Sequence, residues 1–100
     1  MKLITVKPSS KSDKKYEAHF KNGDKTKVVH FGGKNYMDYI KYSQVNHQLA
    51  DEKRLNYIKR HDVNEVWSDP TTPGTLSRYI LWEKRTLPEA IKAFKSRFNV

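Results

Sequence analysis

The run YEAHFKNGDKTKVVHF, Tyr16 to Phe31, decides the fold. Tyr16, Ala18 and Phe20 alternate with Glu17, His19 and Lys21; beyond Asn22-Gly23, Val29 and Phe31 alternate with Val28 and His30. A two-residue period places neighbouring side chains on opposite faces of a strand, so two such runs around Asn-Gly spell a β-hairpin. Two registers compete. A two-residue Asn22-Gly23 turn sets Ala18 opposite Lys27 and Phe20 opposite Lys25. A four-residue loop, Asn22 to Lys25, sets Tyr16 opposite Phe31 and Ala18 opposite Val29, which keeps the apolar residues on one face. The longer loop, or a bulge with the same effect, is expected.

Upstream of the hairpin, Lys2 to Val6 reads as a short strand ended by Pro8, and Ser9 to Lys15 as a flexible Lys/Ser loop. Downstream, Gly32-Gly33 ends the sheet, and Asn35 is expected to cap a short helix with Tyr36, Tyr39 and Ile40 on one face. A second helix is expected from Asp51 to His61, with acids at its positive end, Arg60 and His61 at its negative end, and Leu55 and Ile58 as its buried side. Asp62 to Pro70 reads as irregular, anchored by Val66 and Trp67. Thr72-Pro73 opens a third helix carrying Leu76, Tyr79, Ile80 and Trp82 into the core. Thr86 and Glu89 stand at capping-box spacing ahead of Leu87, Ala90, Ile91, Phe94 and Phe98, an i, i+3, i+4 apolar stripe.

The expectation is an α+β fold: a small antiparallel sheet, made of the N-terminal strand and the hairpin, followed by three to four short helices packed on one face. Residues 1–100 read as a single domain, with 1–15 the strand and flexible loop and 16–98 the compact core. No strand pattern recurs after the helices, which argues against a parallel βαβ layout.

At 100 residues with 36% hydrophobic content the chain supports one lean core, and two Trp, six Tyr and four Phe supply large buried areas within it. Twenty basic residues against eleven acidic ones give +9, an excess that favours a polyanion through counterion release. All five Arg lie in residues 51–100, while residues 1–50 hold ten Lys against four acids. The planar guanidinium suits fixed anion geometry and the ammonium is a mobile point charge, so geometrically precise contacts are expected in the second half. Cysteine is absent, which removes disulfides, thiolate catalysis and Cys-based zinc sites. The N-terminal apolar stretch is too short for a signal peptide, and no run reaches membrane-span length, so a soluble, non-secreted protein without membrane insertion is expected.

Few residues suggest chemistry. The four histidines, His19, His30, His47 and His61, form no i, i+4 metal pair, and no metal or other cofactor is expected. Ser77 lacks the context of a nucleophile elbow, Asp51-Glu52 fits the helix dipole, and Gly32-Gly33-Lys34 lacks the spacing of a phosphate loop and reads as a turn. No catalytic residues are assigned.

Binding is the better reading. On the second helix Lys53, Tyr57 and Arg60 fall along one stripe flanked by Arg54 and His61, an arrangement suited to gripping phosphates and stacking on a base, and Lys53, Arg54, Tyr57, Lys59 and Arg60 are the expected binding surface. A second group joins Lys21, Lys25 and Lys27 on the hairpin with Lys11, Lys14 and Lys15, suited to tracking a phosphate backbone. Arg78, beside Tyr79, is expected either to pair with Asp69 or to reach a phosphate.

Three blocks carry a likeness to a known group of proteins: Phe31-Gly32-Gly33 with Tyr36 to Lys41, then Tyr57 to His61, then Trp67 to Trp82 with the closing Ala90 to Phe98 helix. Over roughly residues 16–98 the chain resembles a family of short, basic, uncharacterised proteins encoded by large eukaryotic double-stranded DNA viruses. The resemblance implies a viral setting, in the virion or in the cytoplasm or nucleus of the infected cell, and supplies no catalytic residue. The expected function is non-enzymatic binding of nucleic acid, DNA in the first place, directed at phosphates with low sequence specificity. The alternative is a small structural protein of the virion that binds an acidic protein partner.

Overall fold

The computed structural model describes residues 1–62 and 65–100. Strands β1 (Lys2–Pro8), β2 (Lys14–Asn22) and β3 (Lys25–Gly33) form an antiparallel sheet in that order. Four helices follow: α1 (Tyr39–Val45), α2 (His47–Asp62), α3 (Pro73–Leu76), which widens into a π-helical turn over Ser77–Leu81, and α4 (Leu87–Phe98). The architecture is α+β, strands first and helices after.

The hairpin takes the register that keeps one face apolar: Tyr16 pairs with Phe31, Ala18 with Val29 and Phe20 with Lys27. The ladder runs one step past the expected loop, since Asn22 also pairs with Lys25, so Gly23 and Asp24 alone make the connection. Gly23 takes φ +63°, a left-handed conformation that glycine adopts without the steric penalty of a Cβ. β1 is longer than expected and pairs through Pro8, which an outer strand tolerates because no neighbour needs the missing N–H. Its register shifts between Leu3 and Thr5, leaving Ile4 as a bulge.

The segment expected as a flexible loop is fastened by hydrogen bonds. The Ser9 amide donates to the Lys15 carbonyl, the Lys14 amide to the Lys11 carbonyl and the Ser10 amide to Glu17 Oε1.

One sheet face joins the core through Leu3, Ala18, Phe20, Val29 and Phe31, met from the helices by Tyr39, Ala50, Tyr57, Leu76, Ile80, Leu81, Trp82, Ala90 and Phe94. α4 forms as its sequence dictates. The Thr86 hydroxyl accepts from the Glu89 amide and donates to its carboxylate, Ala90 and Phe94 are buried, and Asn99 closes the end in a left-handed conformation. Thr72 caps α3 as expected, accepting from the Thr75 amide.

Two helices depart from expectation. α1 starts at Tyr39 with Asp38 as its cap, because the Asp38 carboxylate takes both the Lys41 amide at 2.9 Å and the Lys15 ammonium at 2.5 Å. Asn35 and Tyr36 lie before it, in the turn after the sheet. α2 starts four residues before Asp51, with the Asn46 side chain accepting from the Leu49 amide while the Asn46 amide closes α1 on the Tyr42 carbonyl. The side of α2 that turns inward is Ala50, Arg54, Tyr57, Ile58 and His61, and Leu55 is 56% exposed. The cause is the Tyr57 ring, which stacks on Trp82 at 4.5 Å and 6° between planes; an aromatic pair buries more area than a leucine.

Gly32 takes φ +79°, and a Cβ there would lie 2.8 Å from Leu81 Cδ1 and 3.3 Å from Lys15 Cβ. Gly32→Ala should therefore destabilise by about 2 kcal/mol in urea unfolding, against about 1 kcal/mol for Gly23→Ala, whose Cβ would meet nothing.

Candidate functional site

The arginines are the first group to place. Glu83, in the loop after the π turn, accepts from Arg54 of α2 at 2.5 Å and from Arg78 of the π turn at 3.1 Å, and Arg97 of α4 reaches its other oxygen at 3.6 Å. Arg54 also donates to the Trp82 carbonyl, as does Arg78. Burial alone would raise the Glu83 carboxyl, but the hydrogen bonds and charges of Arg54 and Arg78 outweigh it and hold the group below the usual carboxylate range. Arg85 grips both oxygens of Asp51, whose carboxyl is lowered first by the Tyr39 hydroxyl and then by Arg85.

Arg78 meets neither expected partner. It is buried against Glu83, with its guanidinium over the Trp67 and Tyr79 rings, while Asp69 accepts from the Thr71 amide and hydroxyl. Among the described residues its Nε finds no hydrogen-bond acceptor. Four of the five arginines are thus matched internally, and Arg60 is the one with no carboxylate within ion-pair distance among the described residues.

The expected face of α2 divides. Lys53, Lys59 and Arg60 are exposed, whereas Arg54 is half-buried in the Glu83 cluster and Tyr57 is turned inward between Trp82 and His61. No face of the Tyr57 ring is left for a base.

The lysines behave differently from the arginines. Cross-strand pairing sets Lys2 beside Lys21, and Lys7 beside Glu17, on the sheet face turned away from the core, together with Thr5, His19, Val28 and His30. Lys2, Lys7 and Lys21 are all exposed. Glu17 is the carboxylate in the middle of that face, and it is occupied: its oxygens accept from the Ser10 amide and contact His19, which lower its pKa in that order. Lys25 and Lys27 pair with Asn22 and Phe20 and so lie on the other face, at the hairpin end, where Lys27 reaches the Thr71 hydroxyl at 3.3 Å. Lys2 and Lys7 share this face only because of the bulge at Ile4, which lies between them and turns Lys7 outward.

A second feature is a cleft of about 520 Å³ between the end of the sheet, the last turn of α2 and the start of α3. Lys14, Gly32, Gly33, Tyr36, Arg60, His61, Glu65, Gly74 and Ser77 line it, above Phe31, Leu81 and Trp82. Burial, with the nearby Glu65 carboxylate, pushes the Tyr57 hydroxyl at its wall up to about 12, so it stays a hydrogen-bond donor at neutral pH. Among the described residues no group of three or more His, Asp or Glu side chains is placed to hold a metal ion, and no helix is long and apolar enough to cross a membrane.

A family model described as a family of unknown function (DUF5754) matches residues 4–61, from the bulge of β1 to the last turn of α2. No curated protein and no solved structure matches the chain.

Removing the Glu83 charge leaves the half-buried Arg54 and the buried Arg78 guanidiniums without a carboxylate, so Glu83→Gln should destabilise by about 3 kcal/mol at neutral pH. The folded carboxyl titrates below the unfolded one, so its contribution is present above the ordinary carboxylate range and is lost as pH falls through the folded value. Urea unfolding at a series of pH values should show the gap between variant and parent closing in acid.

Proposed function

The chain belongs to the family of unknown function DUF5754, and from that premise, which brings no activity with it, we propose that it is a non-enzymatic protein that binds nucleic acid through phosphates with little sequence preference. One observation carries this reading: the two kinds of cation are sorted. Four of the five arginines are paired with carboxylates of the fold, whereas of all the lysines only Lys15 meets a carboxylate within ion-pair distance among the described residues. The net positive charge therefore faces solvent as mobile ammonium groups. Such groups neutralise phosphates without reading base edges, which gives salt-dependent affinity and weak specificity.

The face of the sheet that carries Lys2, Lys7 and Lys21 is the strongest surface for this role. It is solvated, and its central carboxylate already has partners. Lys25 at the hairpin end and Lys53 and Lys59 on α2 extend the positive surface; Arg54, Tyr57 and Arg78 serve the fold. DNA is the ligand proposed, in the viral setting implied by the resemblance above.

The test is a salt titration on a random duplex followed by fluorescence anisotropy. Each phosphate contact contributes about −0.9 to the slope of log affinity against log salt, so the Lys2→Ala, Lys7→Ala, Lys21→Ala triple variant should flatten it by about 2.7. Affinity weaker than about millimolar at about 50 mM salt, or a triple variant indistinguishable from the parent, overturns the proposal. Failure on DNA combined with a stable complex on one acidic virion protein selects the structural alternative instead.

A further inference from the structure

The cleft beside α2 is separate from the sheet face and has a different chemistry. Its volume of about 520 Å³ falls in the range of small-ligand sites, about 300 to 1,000 Å³. Three features mark it as built for a ligand. Arg60, the one arginine without a carboxylate among the described residues, lines it from α2 and Lys14 lines it from the sheet, so the cleft offers a guanidinium and an ammonium. Glu65 faces the same space with one oxygen fixed by the Trp67 indole N–H at 2.6 Å, and its other oxygen accepts no hydrogen bond among the described residues. Tyr36 is 78% exposed yet lies over Gly33, where any Cβ would strike its ring, so a flat apolar surface is held open at the mouth.

Glycine keeps the opposite wall low as well: a Cβ at Gly74 would lie 3.4 Å from Glu65 Oε2. That wall continues into the π turn beginning at Ser77, a widening that recurs at functional sites. Two cations, a carboxylate acceptor and an aromatic surface around one cleft call for a planar, N–H-bearing ring joined to an anion.

We propose that this cleft binds a nucleoside monophosphate, with Arg60 and Lys14 on the phosphate, Tyr36 against the base and Glu65 accepting from an exocyclic amino group. The inference does not depend on the duplex-binding proposal. A guanidinium on phosphate is a bidentate, charge-assisted contact, and the carboxylate favours cytosine or adenine over uracil, which offers no amino group at that edge.

The experiment is amide NMR on the full chain titrated to about 5 mM with CMP, UMP, cytidine or inorganic phosphate, a range that detects binding as weak as millimolar. CMP should shift the Gly32, Gly33, Gly74 and Ser77 amides and bind more tightly than UMP, cytidine or phosphate alone. Arg60→Ala, an exposed substitution, should keep the dispersed folded spectrum and weaken CMP about tenfold. Glu65→Gln should narrow the gap between CMP and UMP. The triple lysine variant of the sheet should bind CMP as the parent does, so the two proposals fail independently. Absence of CMP shifts, shifts confined to the lysine face, equal affinity for phosphate alone, or an unchanged Arg60→Ala variant would each overturn the proposal.

Discussion

The Glu83 carboxylate is taken largely out of water, and the rest of the helical layer is arranged around satisfying it. An ion moved into a low-dielectric interior carries a desolvation penalty of several kcal/mol that only close, well-oriented partners offset. Three elements supply them: Arg54 from α2, Arg78 from the π turn and Arg97 from α4. One side chain thereby ties together three helical segments that also meet in the apolar core. Arg78 and Arg97 also lie over the Tyr79 ring, so cation–π contact joins the ion pairs to the aromatic packing.

That constraint accounts for the inside of α2. Arg54 must point inward to reach Glu83, and one turn further on Tyr57 follows it onto Trp82. Once those two are fixed, Leu55 is carried to the solvent side. Apolar periodicity could not reveal this, since the inward stripe contains an arginine and a histidine. The decisive partner, Glu83, is 29 residues from Arg54, and nothing local announces it. The helix starts show the same limit on a smaller scale. Thr72 and Thr86 cap their own helices and were legible, whereas Asp38 wins over Asn35 because Lys15, on a different strand, holds it.

The hairpin was readable because its signal is entirely local: alternation fixes the faces, and only one register keeps Tyr16, Ala18, Val29 and Phe31 together. The candidate surface was readable in part. Lys21 stands on the solvated face with Lys2 opposite it, but Lys7 joins them only through a one-residue slip in β1 that moves every later side chain to the other face. Arg60 was noticed as one member of a cationic stripe. Its distinction, the lack of a carboxylate partner among the described residues, exists only after the other four arginines have found theirs.

The outer edge of β1 has a consequence for how the protein behaves in a crowd. A three-stranded sheet has two borders; α3 packs against β3 on one side, while β1 forms the other. An open row of amides and carbonyls invites strand addition from another copy and, in time, fibrils. Here the kink at Ile4, the missing amide of Pro8 and the like charges of Lys2 and Lys7 spoil that template. A molecule so guarded tolerates dense packing against its own copies without self-polymerising.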